Sequence, residues 1–224
     1  MDNIIAISFI YLIGIAVLLA FNEINYRRLK IRGEITRKFA HFSATLATVP
    51  FPYIFPSHWY VLILAFLFFL VLAITQYSRK LKSIHDIRRK SMGSYLLPLS
   101  IYLTFLISCL LENKLLFILP MLILAICDPM AAILGINIKK YNGRIKLGKR
   151  KFNKTWLGTT AFFITSLIIA MLALWLHRDI FDFKTYWLGL LVATAGTLGE
   201  LISWRGSDNL SIPMAVILVL VSFL

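Results

Sequence analysis

Leu115-Leu116-Phe117-Ile118-Leu119-Pro120-Met121-Leu122-Ile123-Leu124-Ala125-Ile126-Cys127-Asp128-Pro129-Met130-Ala131-Ala132-Ile133-Leu134-Gly135 decides the kind of fold this chain adopts. A helix rises 1.5 Å per residue and needs about 20 apolar residues to cross about 30 Å of hydrocarbon. This run meets that length, and Asp128 is its one charged residue. Thirteen apolar residues, Pro120 among them, precede it, so the carboxylate falls well inside the membrane. A charge placed there is costly and needs a partner, either a lysine or a metal ion, which makes Asp128 a functional candidate. Pro129 and Gly135 predict an interrupted helix whose loosened backbone lines a polar cavity open to the cytosol.

Working outward, further apolar runs predict about eight spans: Ile4 to Phe21, Phe39 to Phe55, Trp59 to Gln76, Tyr95 to Leu111, Leu115 to Ile136, Trp156 to Leu176, Tyr186 to Ser203, and Leu210 to Leu224. The expected fold is all-α, a polytopic membrane bundle forming one domain over residues 1–224, of which 59% are hydrophobic and 15% charged. The first run lacks a basic segment before it and a small-residue cleavage pattern after it, so it reads as a retained span. Cys109 and Cys127 lie in apolar runs at no metal-binding spacing and read as packing residues.

A net charge of +14 would suggest nucleic acid as the partner of a soluble protein, but here the distribution argues otherwise. The odd-numbered loops hold six, six, eight and one basic residues, 21 of the 24, whereas the even-numbered loops hold only Lys114, Arg178 and Lys184. By the positive-inside rule the odd loops face the cytoplasm and both termini lie on the other side. No nucleic acid is expected. The cell membrane is the expected location.

Polar residues gather on that cytosolic side. Glu34, Arg37, Lys38 and His41 fall at helical spacing on one face leading into the second span. Arg88, Arg89 and Lys90 precede the fourth. The basic loop Lys139 to Lys154 runs into a helix start at Thr155, Gly158, Thr159 and Thr160, where hydroxyls and unpaired N–H groups suit phosphate. Lys154, at that helix start, adds charge neutralisation. Most of the other lysines in this loop read as topology determinants leaning on anionic lipid. Near the C-terminus Glu200 and Asp208 flank a polar turn, Ser203-Trp204-Arg205-Gly206-Ser207, in which Asp208 also reads as a helix N-cap. Cations set against carboxylates at one membrane face suit a polyanionic ligand carrying a divalent metal.

Taken together, Glu34-x-x-Arg37-Lys38-x-x-His41, Asp128-Pro129-x-Ala131 with Gly135, Lys154-Thr155-x-x-Gly158-Thr159, and Glu200 followed by Asp208-Asn209-Leu210-x-Ile212-Pro213 resemble the CTP-dependent lipid-alcohol kinases. These are the dolichol, phytol and related polyprenol kinases and the CTP-dependent diacylglycerol kinases, kin to the phosphatidate cytidylyltransferases. The resemblance runs from about Glu34 to Pro213, and the chain departs from it where Ile136 to Asn142 separate Gly135 from Gly143-Arg144. It implies that Asp128, Asp208 and Glu200 hold Mg²⁺ and phosphate. It also implies that Lys154, Thr155, Gly158 and Thr159, with Arg37, Lys38, Gly135 and Asn209, form the CTP site. Asp128, Asp208 and His41 all remain candidates to accept the proton of the acceptor hydroxyl.

Three functions are compatible with the residues. The first is a CTP-dependent kinase of a membrane lipid alcohol, acting at the cytosolic face of the bilayer, with homo-oligomerisation left open. A phosphatidate cytidylyltransferase needs the same basic, metal-bearing pocket. A small transporter would use Asp128 and Glu200 for a cation or proton, but the halves show no internal repeat and the polar residues crowd one face rather than a path across.

Overall fold

The structure is a computed structural model describing residues 2–29, 33–78, 81–85, 92–138, 143–147 and 150–223. Described helices are α1 (Asp2–Leu29), α2 (Gly33–Thr48), α3 (Phe51–Ile54), α4 (His58–Tyr77), α5 (Lys82–His85), α6 (Gly93–Leu110), α7 (Leu115–Asn137), α8 (Trp156–Arg178), α9 (Phe183–Ile202) and α10 (Asp208–Phe223). Between α7 and α8 lies an antiparallel hairpin, β1 (Arg144–Leu147) and β2 (Arg150–Thr155). The expected all-α membrane bundle is the observed architecture. Six of the helices, α1, α4, α6, α7, α8 and α9, are long and apolar enough to cross a membrane.

Two of the eight expected spans take another form. The run Phe39 to Phe55 is divided between α2 and the single-turn α3, because Val49 and Pro50 form a turn. In α2 one face is polar and buried, with Lys38, His41, Thr45 and Thr48 pointing inward, while Ile35, Phe39 and Leu46 are exposed. The last run forms α10, 16 residues long and shorter than the six helices of membrane-crossing length.

α7 is the axis of the bundle. Two-thirds of its span (67%) is buried against only 6% of that of α1, and it packs on α2, α6, α8 and α10. Its inward residues Phe117, Leu119, Met121, Ile123 and Leu124 are inaccessible, as are Phe162 of α8 and Val192 of α9. Phe51, Phe105 and Phe117 interlock, with Phe105 edge-on to Phe117 at 5.3 Å between centroids, and close the end of the core nearest α3. The predicted interruption at Pro129 does not occur. α7 runs unbroken from Leu115 to Asn137 with Pro120 and Pro129 inside it. Each proline forgoes one backbone hydrogen bond, a loss that neighbouring helices can compensate in a packed membrane bundle.

Helix ends are defined by side chains the sequence supplies. Thr155 accepts a hydrogen bond from the Gly158 N–H at 3.2 Å and caps α8. Asp182 caps α9 by accepting from the Thr185 N–H at 2.8 Å, and Arg178 grips the same carboxylate at 2.6 and 2.9 Å. Those hydrogen bonds, from Arg178 first, hold the Asp182 carboxyl below the usual carboxylate range.

Glycine sets how closely the helices approach. A Cβ on Gly158 would lie 2.8 Å from the Ala131 carbonyl oxygen, so α7 and α8 touch backbone to backbone there. A Cβ on Gly199 would come within 2.8 Å of the Ser211 carbonyl oxygen, which fixes α9 against α10. Both contacts lie at one end of the bundle. The helices alternate in direction, so that α1 begins and α10 ends at the opposite end.

Candidate active site

Where α7, α8, α9 and α10 converge, with α2 alongside, they enclose a cavity of ≈ 330 Å³. Lys38, Asp128, Gly135, Lys154, Thr155, Gly158, Thr159, Glu200, Ser203 and Asp208 line it, together with the turn Trp204, Arg205 and Gly206. Residues up to 170 positions apart in the chain thus share one chamber. The Cys127 and Cys109 thiols are both free and take no part in it.

Two ion-paired groups face each other across this space. Lys38 Nζ donates to Asp128 Oδ2 at 2.5 Å, both residues being buried, and His41 Nε2 lies 3.6 Å from the same oxygen with no hydrogen-bond partner. The turn spacing of α2 produces this arrangement: Lys38 and His41 lie one turn apart on the face that meets α7. On the other side Lys154 Nζ lies 2.7 Å from Glu200 Oε1 and 3.5 Å from Asp208 Oδ2. Burial works against the charge on Lys154, yet the carboxylates of Asp208, Glu200 and Asp128 outweigh it and hold the ammonium above the ordinary lysine value. Thr159 completes the second group by donating to Glu200 Oε2 at 3.4 Å.

Lys154 reaches this position because β2 delivers it to the first turn of α8. The segment expected to be a basic loop is in part this hairpin: Ile145 of β1 is buried and Arg144 pairs in register with Thr155. Period-two alternation in Arg144-Ile145-Lys146-Leu147 was the available signal. Lys139, Lys140 and Lys149 of that segment, the cluster Arg88, Arg89 and Lys90, and the side chains of Glu34 and Asn153 lie outside the described residues.

Several expected site residues make structural contacts here. Asn209 is buried and donates from Nδ2 to the Gly93 carbonyl at 2.6 Å, tying α10 to the start of α6 rather than facing the cavity. Arg37 and His41 do not line the chamber. The hydroxyl of Thr155 is engaged in its cap, and Gly135 and Gly158 bring α7 and α8 into contact around it: a Cβ on Gly135 would lie 2.9 Å from Thr155 Oγ1. Conversely, the turn Ser203 to Gly206 lines the cavity without having been singled out as site residues.

Among the described residues no three His, Cys, Asp or Glu side chains converge as a ready-made metal centre. The donor set nevertheless suits Mg²⁺. Asp128, Glu200 and Asp208 are hard oxygen donors on one cavity, and this ion is usually held by one or two carboxylates, with waters and substrate phosphates filling the rest of its shell.

The fold and this chamber define a class: a membrane-embedded helical protein with a charge-balanced polar site at one end of its bundle. The chain belongs to the Cytidylyltransferase family, whose model matches residues 3–204. Family membership points to a transferase with a nucleotide substrate, working at the lipid bilayer. Comparison with curated proteins and with solved structures gives no match.

Proposed function

We propose that this protein is a CTP-dependent kinase, which passes the γ-phosphoryl group of CTP to the hydroxyl of a membrane lipid alcohol. The acceptor is a polyprenol such as dolichol, phytol, or diacylglycerol. The observation that carries this reading is the charge balance of the cavity. Among the described lining residues the three cations Lys38, Lys154 and Arg205 meet the three carboxylates Asp128, Glu200 and Asp208. A neutral acceptor beside one polyphosphate suits that balance better than two phosphate-bearing substrates, whose repulsion would call for a surplus of cations.

In this reaction the acceptor oxygen forms a bond to the γ-phosphorus, the bond between that phosphorus and the β–γ bridging oxygen breaks, and CDP leaves with the electron pair. Phosphoryl transfer asks the protein for positioning and charge stabilisation more than for covalent chemistry. Asp128, buried beside the two basic groups of α2, accepts the hydroxyl proton, with Lys38 and His41 orienting it. Lys154 exchanges its carboxylate partners for phosphate oxygens. Glu200 and Asp208 are the residues that would hold Mg²⁺, which when bound supplies neutralisation of the nucleotide's phosphates. The basic residues that crowd the loops at this end of the bundle support a site that faces the cytosol, where CTP is found.

The family match favours a second reading, in which phosphatidate attacks the α-phosphorus of CTP and pyrophosphate leaves, giving CDP-diacylglycerol. One experiment separates them. Purified protein with Mg²⁺ is given CTP labelled at the α or the γ position, with polyprenol, phytol, diacylglycerol and phosphatidate offered separately. Label reaching the lipid from the γ position supports the kinase and names its acceptor. Label from the α position with release of pyrophosphate replaces it with the cytidylyltransferase.

A further inference from the structure

The turn joining α9 to α10 is unusual in its backbone. Arg205 has φ 51°, in the left-handed region that costs a side-chain-bearing residue energy, and Gly206 follows at φ 89°. Three hydrogen bonds hold this shape. The Met92 N–H donates to the Arg205 carbonyl at 2.8 Å, the Trp204 N–H donates to Ser207 Oγ at 2.8 Å, and the Ser207 N–H donates to the Trp204 carbonyl at 3.0 Å. Their effect is to keep Trp204 and Arg205 at the lip of the cavity, with the Arg205 guanidinium 4.3 Å from the centroid of the Trp204 ring.

Trp204 is the one aromatic side chain among the described lining residues, and 66% of it is exposed. Of the other exposed tryptophans, Trp59, Trp156 and Trp187 sit near helix starts and Trp175 near the end of α8, as interfacial anchors do, and none of the four lines the cavity. The chamber's interior is charged and suits phosphates. At ≈ 330 Å³ it lies near the small end of ligand sites, so a nucleotide entering phosphate-first leaves its base at the lip.

We propose that Trp204, with Arg205 stacked on it, is the platform for the nucleobase of the nucleotide substrate. This rests on the reading of the cavity as a CTP site. A pyrimidine stacks on the indole, and the guanidinium on the ring adds a positive charge beside it. Stacking is tolerant of base identity, so the platform supplies affinity for a base rather than selection of cytosine.

Equilibrium binding of CTP and of inorganic tripolyphosphate to the full-length protein in detergent with Mg²⁺ tests this, because the second probe keeps the phosphates and lacks the base. Trp204→Ala weakens CTP by about tenfold or more while moving tripolyphosphate by less than about twofold, and Trp204→Phe retains most of the CTP affinity. Unchanged tripolyphosphate binding also reports that the variant is folded. Equal effects on both probes, or no effect on either, overturn the platform, as does a variant whose only change is a higher KM for the lipid, which marks Trp204 as a membrane anchor. Failure of the wild-type protein to bind either probe overturns the CTP-site reading and the platform with it.

Discussion

Lys38 and Asp128 form a buried ion pair whose removal tests the central geometry. Replacing Lys38 with Met leaves the Asp128 carboxylate, only 3% exposed, without its 2.5 Å partner. Replacing Asp128 with Asn leaves the Lys38 ammonium in the same condition. Breaking one side of a buried pair generally costs about 3–5 kcal/mol, whereas replacing both sides together is often nearly neutral. Both groups line a cavity that admits water, so the lower end applies, about 3 kcal/mol for either single variant. For a chain of this size that corresponds to a fall in apparent Tm of about 6–12 °C. The double variant recovers most of that fall but, on the proposed mechanism, has no activity, because the proton acceptor is gone. Thermal unfolding of the four proteins in one detergent supplies the cycle. Single variants within about 3 °C of wild type, or a double variant less stable than the two singles predict by addition, would refute the pairing.

Lys154→Ala and Asp208→Asn each lower turnover by about 10²-fold or more while expression and detergent behaviour are unchanged, as measured by label transfer from CTP. Gly158→Ala forces a Cβ against the Ala131 carbonyl oxygen and Thr155 Oγ1, and thermal unfolding registers the strain as about 1–3 kcal/mol of lost stability. The carboxyl of Asp182 is held below its ordinary value, so its contribution to stability is present above the ordinary carboxylate range and disappears as the pH falls through its folded value. Asp182→Asn therefore lowers Tm at neutral pH, and its melting curve converges with that of wild type in acid. Lys154 has the opposite sign: its pKa is raised, so its stabilisation is complete at neutral pH and disappears only as the pH rises above the ordinary lysine value. Between pH 6 and 9, then, the difference in Tm between wild type and Lys154→Met stays constant.

Hydropathy made the bundle legible, since six apolar runs became helices of membrane-crossing length close to where composition placed them. It misread α2 because the inward residues Lys38, His41, Thr45 and Thr48 divide that helix into a polar and an apolar face, which a sum over residues conceals. The interruption expected at Pro129 does not form, because a proline's local preference gives way where α7, packed on four neighbouring helices, stays helical through it. In the site, residue types were informative and partners were not. Asp128 announced itself by its depth, but that its cation is Lys38, 90 positions away, depends on how α2 docks against α7. Asn209, expected among the site residues, ties α10 to Gly93, a contact no local pattern encodes.

The lysines also bear on turnover. Each acidic group of the chamber already has a positive charge of the protein's own beside it, Asp128 with Lys38 and Glu200 and Asp208 with Lys154. On the proposed reading, loading a metal-nucleotide complex is an exchange of counterions rather than a capture by bare charge. The gain on binding is the difference between two sets of pairs, which keeps affinity moderate. By the same reading, the lysines pair again with the carboxylates when the spent nucleotide departs, so release is not opposed by the charges that drew the substrate in.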